Sequence, residues 1–188
     1  MKFKLFFVLL SLLLASCASV KRTESAAVEV YPDVKVAAAQ TKPIVDLKYG
    51  DFVNIKIQDI SPSVKGLTST NKFEIVGIEG RAGEHFSIMV GSICDCLGFR
   101  KWAVYPIVHL LKENGDLVAS EKIENPKLRS LTGVFPETGR YKIVVVADSE
   151  NEGKKLSDIA AYVGGVSLFT IPEKAHPTGL VQVNWPKQ

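Results

Sequence analysis

The sequence has little excess charge of either sign. Its 23 basic and 20 acidic residues give a formal net charge of +3, and no basic stripe extends beyond short groups such as Lys21-Arg22. A nucleic-acid-binding domain typically carries a strong basic patch, so we expect no nucleic-acid partner. The hydrophobic fraction of 46% and the charged fraction of 23% exclude a disordered, collagen-like or fibrous chain. The length of 188 residues suits one domain.

The familiar motifs of catalysis are also missing. The sequence contains no H-E-x-x-H, no P-loop, no G-x-G-x-x-G, and no G-x-S-x-G around Ser92. Its three histidines, His85, His109 and His176, are scattered along the chain. We therefore expect a binding protein rather than an enzyme, with no catalytic residue and no cofactor. Paired carboxylates far apart in the sequence keep an enzyme as a third hypothesis.

The most apolar stretch of the sequence lies near the N-terminus. Two lysines precede the apolar run 5–14, which is shorter than the roughly 20 residues that span a bilayer. This pattern is typical of an export signal. The run ends in residues 14–17 (Leu-Ala-Ser-Cys), which resemble the lipobox of bacterial lipoproteins. The resemblance implies a signal peptide over residues 1–16 and lipidation of Cys17; a plain secretory signal with a chance cysteine is the alternative.

Lipidation would determine where the protein resides. Stable anchoring takes two or more acyl chains, so a triacylated Cys17 would hold the domain on a membrane. The next residue is Ala18, whereas an Asp there resembles the inner-membrane retention signal of Gram-negative lipoproteins. This implies an outer-membrane anchor with the domain facing the periplasm. Residues 17–43, where Pro32 and Pro43 bracket a helix-prone stretch, are predicted to form a flexible tether.

From residue 44 onward, apolar and polar residues alternate in short runs. The run 53–57 has one apolar and one polar face, which is typical of an antiparallel sheet. Pro106 interrupts a longer apolar run and predicts an edge or a bulge there. Asn114-Gly115 predicts a hairpin turn. Further strands are predicted to begin near Phe73, Phe86, Ala103, Leu117, Tyr141, Val166 and Val181.

One stretch departs from the period of two. Leu156, Ile159, Ala160 and Val163 recur at helical spacing, and the two glycines that follow are typical of a helix end. We therefore predict one late α-helix. With seven or eight strands, the expected fold is mainly β, an antiparallel β-sandwich of jelly-roll or immunoglobulin-like type that occupies residues 44–188.

Cys94-Asp95-Cys96 is the most unusual local pattern. Two cysteines of an exported protein normally pair, although a bridge across a single residue lies at the edge of disulfide geometry. We expect either a local disulfide between Cys94 and Cys96 or two free thiols. A metal site with Asp95, His85 or His109 is the sharper alternative. Because no second cysteine or histidine cluster stands at ligand spacing, we predict no metal.

The segment 98–102 contains the best candidate for a binding surface. Phe99 and Trp102 place aromatic rings beside Arg100, and such a group can stack on a sugar ring or hold an anion. The alternative is that Trp102 begins the next strand and packs inward. Phe99, Arg100 and Trp102 are therefore the candidate ligand-binding residues.

A family resemblance rests on residues 104–116, 131–146 and 160–183, and on the order of elements over residues 51–188. It is a resemblance to the maltose operon periplasmic protein (MalM) family. It implies an accessory protein of α-glucan uptake without known catalytic residues. Residues 83–90 (Gly-Glu-His-Phe-Ser-Ile-Met-Val) also resemble, more weakly, the prepeptidase C-terminal β-sandwich domain.

These features together predict a cell-envelope lipoprotein with a non-catalytic periplasmic β-sandwich. Its expected role is accessory to carbohydrate uptake of the maltose or maltodextrin type. The alternative is a structural or protein-binding envelope module that is unrelated to sugar transport. The expected partners are a membrane, through the N-terminal lipid, and either an oligosaccharide or an envelope protein.

Overall fold

The computed structural model describes residues 19–23, 29–96, 101–163 and 166–187. The predicted signal peptide and Cys17 lie outside the described residues, as do Phe99 and Arg100. Within the described part of the chain, no helix has the length and the apolar character needed to cross a membrane.

The described residues form sixteen strands, one α-helix and one turn of 3-10 helix at Ser149–Asn151. In chain order the strands and the α-helix are β1 (Val20–Lys21), β2 (Val30–Tyr31), α1 (Val34–Gln40), β3 (Val45–Asp46), β4 (Phe52–Ile57), β5 (Ser63–Lys65), β6 (Thr70–Gly80), β7 (His85–Ile93), β8 (Trp102–Ala103), β9 (Pro106–Lys112), β10 (Leu117–Ser120), β11 (Lys122–Asn125), β12 (Leu128–Val134), β13 (Gly139–Ala147), β14 (Lys155–Val163), β15 (Val166–Ala175) and β16 (Gly179–Asn184).

Two large sheets make up a β-sandwich. The first sheet has the order β1-β4-β16-β7-β12-β11, and the second has the order β10-β9-β13-β6-β5-β2, with β3 also paired to β6. A third, smaller sheet has the order β14-β15-β8. The long strands pair antiparallel, whereas the short strands β1, β2, β3 and β8 pair parallel to their neighbours. The predicted fold class, a mainly antiparallel β-sandwich, is confirmed.

The main core lies between the two large sheets, because each sheet turns the apolar half of its alternating strands inward. In β4, Ile55 and Ile57 are fully buried, while Lys56 between them is exposed. In β7, Ile88 and Val90 are buried in the same way. The second sheet contributes the following residues to this cluster: Val76, Ile78, Val108, Leu110, Tyr141, Ile143 and Val145.

The helix α1 covers the other face of the second sheet. Ala37 and Ala38 are fully buried there, in one cluster with Phe73 and Val144. Strand β13 is therefore buried on both faces, which explains its continuous apolar run. The helix begins after Asp33, whose Oδ1 accepts a hydrogen bond from the Val36 amide at 2.9 Å.

The flexible tether predicted for residues 17–43 is not what the structure shows over residues 29–43. The two small alanines of α1 let the helix lie close against the sheet, so burial stabilises a helix that would be marginal alone. The chain also packs on the sandwich further upstream. Val20 pairs with Ile55, and Arg22 forms an ion pair of 3.0 Å with the fully buried Glu74.

The predicted late helix is wrong, because residues Lys155–Val163 form strand β14. This strand pairs antiparallel with β15 along its length. The register shifts between Lys155 and Ser157 and again between Ala161 and Tyr162. Two such irregularities break the period of two, which explains why the apolar residues fall at helical spacing without a helix.

Pro106 lies at the start of an inner strand rather than at a sheet edge. Strand β9 pairs with both β13 and β10, and Pro106 is its first residue, where a missing amide donor is tolerated. The predicted hairpin turn at Asn114-Gly115 is present: Gly115 has a φ of +91° and its amide donates to the carbonyl of Lys112 at 3.0 Å. The bulge of this hairpin lies in β10, between Leu117 and Ala119.

Candidate functional site

Trp102 begins strand β8, as the alternative interpretation of this residue predicted. Its partners are Lys174 of β15 and, through an isolated bridge, Asp95. The half-buried indole stacks on the imidazole of His176, with ring centroids 4.3 Å apart and planes 5° apart. One face of Trp102 is therefore covered by the protein.

Cys94 and Cys96 are joined by a disulfide in the structure, with their Cα atoms 5.2 Å apart. The structure does not bring His85 or His109 to these sulfurs. It brings Glu173 of β15 instead, and the sulfur atoms and a carboxylate oxygen lie within 4.8 Å of one another. No local pattern in the sequence indicates Glu173, because the pairing of β15 with β8 places it there.

A cleft with a volume of about 810 Å³ lies elsewhere, at one end of the sandwich. It is formed by the segment after β3, the turn between β6 and β7, the turn before β13 and the residue after β16. The lining residues are Asp46, Leu47, Lys48, Tyr49, Ile78, Glu79, Gly80, Arg81, Glu84, Thr138, Gly139, Arg140 and Trp185.

Aromatic rings form the fixed wall of this cleft. Tyr49 is 46% exposed, and its ring meets that of Trp185 edge to face, with centroids 5.5 Å apart. Trp185 is only 3% exposed and packs on Phe135 in the core at 6.0 Å. The backbone holds the pair together, because the Gly50 amide donates to the Trp185 carbonyl at 2.7 Å. Tyr49 is therefore an exposed ring on a rigid support.

Charged side chains line the rim beside Tyr49. Arg140 donates a hydrogen bond to Asp46 Oδ1 at 2.6 Å, and this bond raises the pKa of Arg140. Both side chains stay largely exposed. A Cβ on Gly77 would lie 2.1 Å from Asp46 Oδ1, so the missing side chain at this position makes room for the carboxylate. The same cleft thus offers a guanidinium, a carboxylate and an aromatic ring.

Such an arrangement suits a polar ligand with an apolar face. The ring of Tyr49 offers a stacking surface, and Arg140 and Asp46 offer charge-assisted hydrogen bonds. Glu79, Arg81 and Glu84 add further donors and acceptors around the opening. No local pattern in the sequence indicates this site as a whole, because its residues come from strands and turns that are far apart in the chain. An aromatic residue directly before Gly50 is the local signal that could have indicated Tyr49.

No protein-family profile matches the sequence, and no curated protein matches it. Among solved structures, the chain is similar to the pre-peptidase C-terminal domain of a collagenase from Bacillus anthracis. The two share 9% sequence identity with a TM-score of 0.40, and the match covers 78% of this chain and 98% of that one. That domain is of the type that residues 83–90 resemble, but a likeness of this size shows no family for the chain. None of these matches bears on the lipobox or on the maltose operon protein family.

Proposed function

We propose that this protein is a cell-envelope lipoprotein whose β-sandwich binds an oligosaccharide in the cleft beside Tyr49, as an accessory to carbohydrate uptake. The lipobox-like residues 14–17 support an anchor at Cys17, in the outer membrane and facing the periplasm. The absence of catalytic motifs from the sequence supports a binding role without a cofactor.

The observation that carries the proposal is that the exposed Tyr49 ring lines the same cleft as the ion pair of Arg140 and Asp46. A pyranose ring has an apolar C–H face and an equatorial belt of hydroxyl groups. Aromatic stacking suits the first, and charge-assisted hydrogen bonds suit the second. The volume of about 810 Å³ lies within the range of ligand-binding clefts, so a short oligosaccharide fits the available space.

Calorimetric titration of the mature protein in detergent with maltotriose and longer maltodextrins tests this proposal. We expect measurable heat for the wild type and a loss of affinity of about tenfold in Tyr49→Ala, which removes the stacking surface. Arg140→Ala should weaken binding by a similar factor, because it removes a charged donor.

Trp102→Ala is the matched control, because it removes an aromatic ring from the surface that the sequence predicted. We expect its affinity to equal that of the wild type. If Trp102→Ala weakens binding while Tyr49→Ala does not, the ligand lies on the segment 98–102 and the cleft proposal is wrong. No heat with any oligosaccharide would remove the carbohydrate role altogether.

The second candidate function is a protein-binding envelope module, and the outer face of the first sheet favours it. Phe52 is 60% exposed and Met89 is 38% exposed. Both pair with Asn184 of β16, so the two apolar side chains flank one position on the same face. If this face binds an envelope protein, cross-linked material from solubilised envelopes should contain one partner that Met89→Asp no longer captures.

A further inference from the structure

We propose that the Cys94–Cys96 disulfide masks a metal site, and that its reduction lets the two thiolates bind Zn²⁺ together with Glu173. This inference goes beyond the proposed function and does not depend on it. It rests on the three ligand atoms that lie within 4.8 Å of one another, one from Glu173 of β15 and two from the cysteines in the segment after β7.

Glu173 provides the second, independent observation. Its side chain is fully buried, and its Oε2 accepts hydrogen bonds from Lys127 Nζ at 2.6 Å and from Ser157 Oγ at 2.5 Å. Its other oxygen, Oε1, is buried without a hydrogen-bond partner among the described residues. A buried carboxylate oxygen without a donor is costly, and a bound cation would satisfy it.

The charges of the reduced site balance when a divalent cation is bound. Two thiolates and the Glu173 carboxylate carry three negative charges. Zn²⁺ and the ammonium group of Lys127, which forms an ion pair with Glu173, carry three positive charges. Thiolate and carboxylate are ligands that Zn²⁺ accepts, and three protein ligands would leave one position of a tetrahedral site for water.

The disulfide and the metal exclude each other on geometric grounds. Two sulfurs that each lie about 2.3 Å from a tetrahedral Zn²⁺ are about 3.8 Å apart, whereas bonded sulfurs are about 2.0 Å apart. Reduction by a dithiol breaks the Cys94–Cys96 bond: two electrons and two protons pass to the sulfurs, and the dithiol becomes a disulfide. Binding of Zn²⁺ then releases the two thiol protons to solvent. The site is therefore closed in an oxidising compartment and open after reduction.

Equilibrium dialysis against Zn²⁺ alone, with metal analysis of the retained protein, tests the proposal. After reduction with a phosphine, we expect one Zn²⁺ per wild-type protein and none per oxidised protein. Glu173→Gln should lower the affinity by at least tenfold, while Asp95→Asn, which alters the carboxylate between the cysteines, should leave it unchanged. Equal zinc binding by the oxidised and the reduced protein, or an unchanged affinity in Glu173→Gln, would overturn the proposal.

A second measurement uses the wild type alone, in case the buried Glu173→Gln variant does not fold. Bound Zn²⁺ should slow the alkylation of both Cys94 and Cys96 by iodoacetamide in the reduced protein, because a metal-bound thiolate is a poorer nucleophile. Alkylation at the same rate with and without Zn²⁺ would show that the thiols do not bind the metal.

Discussion

Removal of the Phe135 ring should cost the domain a large part of its stability. Phe135 is fully buried, and its ring centroid lies 4.8 Å from that of Phe86 and 4.8 Å from that of Tyr141. A buried phenylalanine removes about 150–250 Å² from water, worth about 4–6 kcal/mol at about 25 cal/mol per Å². Because measured truncations fall somewhat lower, we expect Phe135→Ala to lower the free energy of unfolding by about 3–5 kcal/mol.

Urea unfolding followed by tryptophan fluorescence measures this loss, since Trp185 lies 6.0 Å from Phe135. With a denaturant slope of about 2 kcal/mol per M, the unfolding midpoint should fall by about 1.5–2.5 M. Phe52→Ala is the matched control: it truncates a side chain that is 60% exposed, and we expect it to cost less than about 0.5 kcal/mol. A loss below about 1 kcal/mol in Phe135→Ala would refute the assignment of this ring to the centre of the core.

Gly80 extends the same experiment to a double-mutant cycle. A Cβ at Gly80 would lie 2.5 Å from Cδ1 of Phe135, so Gly80→Ala should destabilise the wild type by about 1–3 kcal/mol through overpacking. In the Phe135→Ala background the obstacle is gone, and the added methyl group fills part of the cavity. We therefore expect the double variant to lose less than the sum of the two single losses; strict additivity would contradict the contact.

Two further predictions concern the Gly115 turn and His109. Gly115→Ala should destabilise the domain by at least about 1 kcal/mol more than Gly83→Ala. Both glycines have a positive φ, but only at Gly115 would a Cβ lie 2.5 Å from the carbonyl oxygen of Lys35. Equal shifts of the thermal unfolding midpoint in the two variants would contradict this. Burial lowers the pKa of His109, so the unfolded state binds a proton at a higher pH than the folded state does. The free energy of unfolding should therefore fall as the pH drops below about 6.5. In urea titrations between pH 7.5 and 5.5, His109→Gln should reduce this dependence on pH.

The β-sandwich could be predicted from the sequence because apolar and polar residues alternate along its strands with the period of two that a pleated strand imposes. The run around Ile55 alternates between apolar and polar residues, as a half-buried strand does. Asn114-Gly115 predicts its turn because these two residue types tolerate the positive φ angles of a tight hairpin. The prediction of a late helix was wrong, because the irregularities in β14 move its apolar residues off the period of two. The prediction of a flexible tether was wrong over residues 29–43, because the short helix α1 gains its stability from the sheet that it covers. The local sequence does not reveal this packing.

The candidate sites could be predicted only where their residues are neighbours in the sequence. Cys94 and Cys96 indicate a local disulfide directly, but Glu173 reaches them through a parallel pairing of β15 with β8 that is only two residues long. The cleft brings together Tyr49, from the segment after β3, and Arg140, from strand β13 far along the chain. Contacts between residues this far apart in the sequence depend on strand order and register, which the alternation of residues along a single strand does not specify.

The docking of Val20 and Lys21 along β4 determines how an N-terminal anchor would hold the protein. Three Cα-to-Cα steps of at most about 3.8 Å each separate residue 17 from Val20, so a lipid on Cys17 would keep this sheet edge within about 11 Å of its attachment point. The ion pair of Arg22 with the buried Glu74 reinforces that edge. A lipidated molecule would therefore hold this sheet edge close to the bilayer, and a ligand or a partner protein would have to approach from the sides that face away from it.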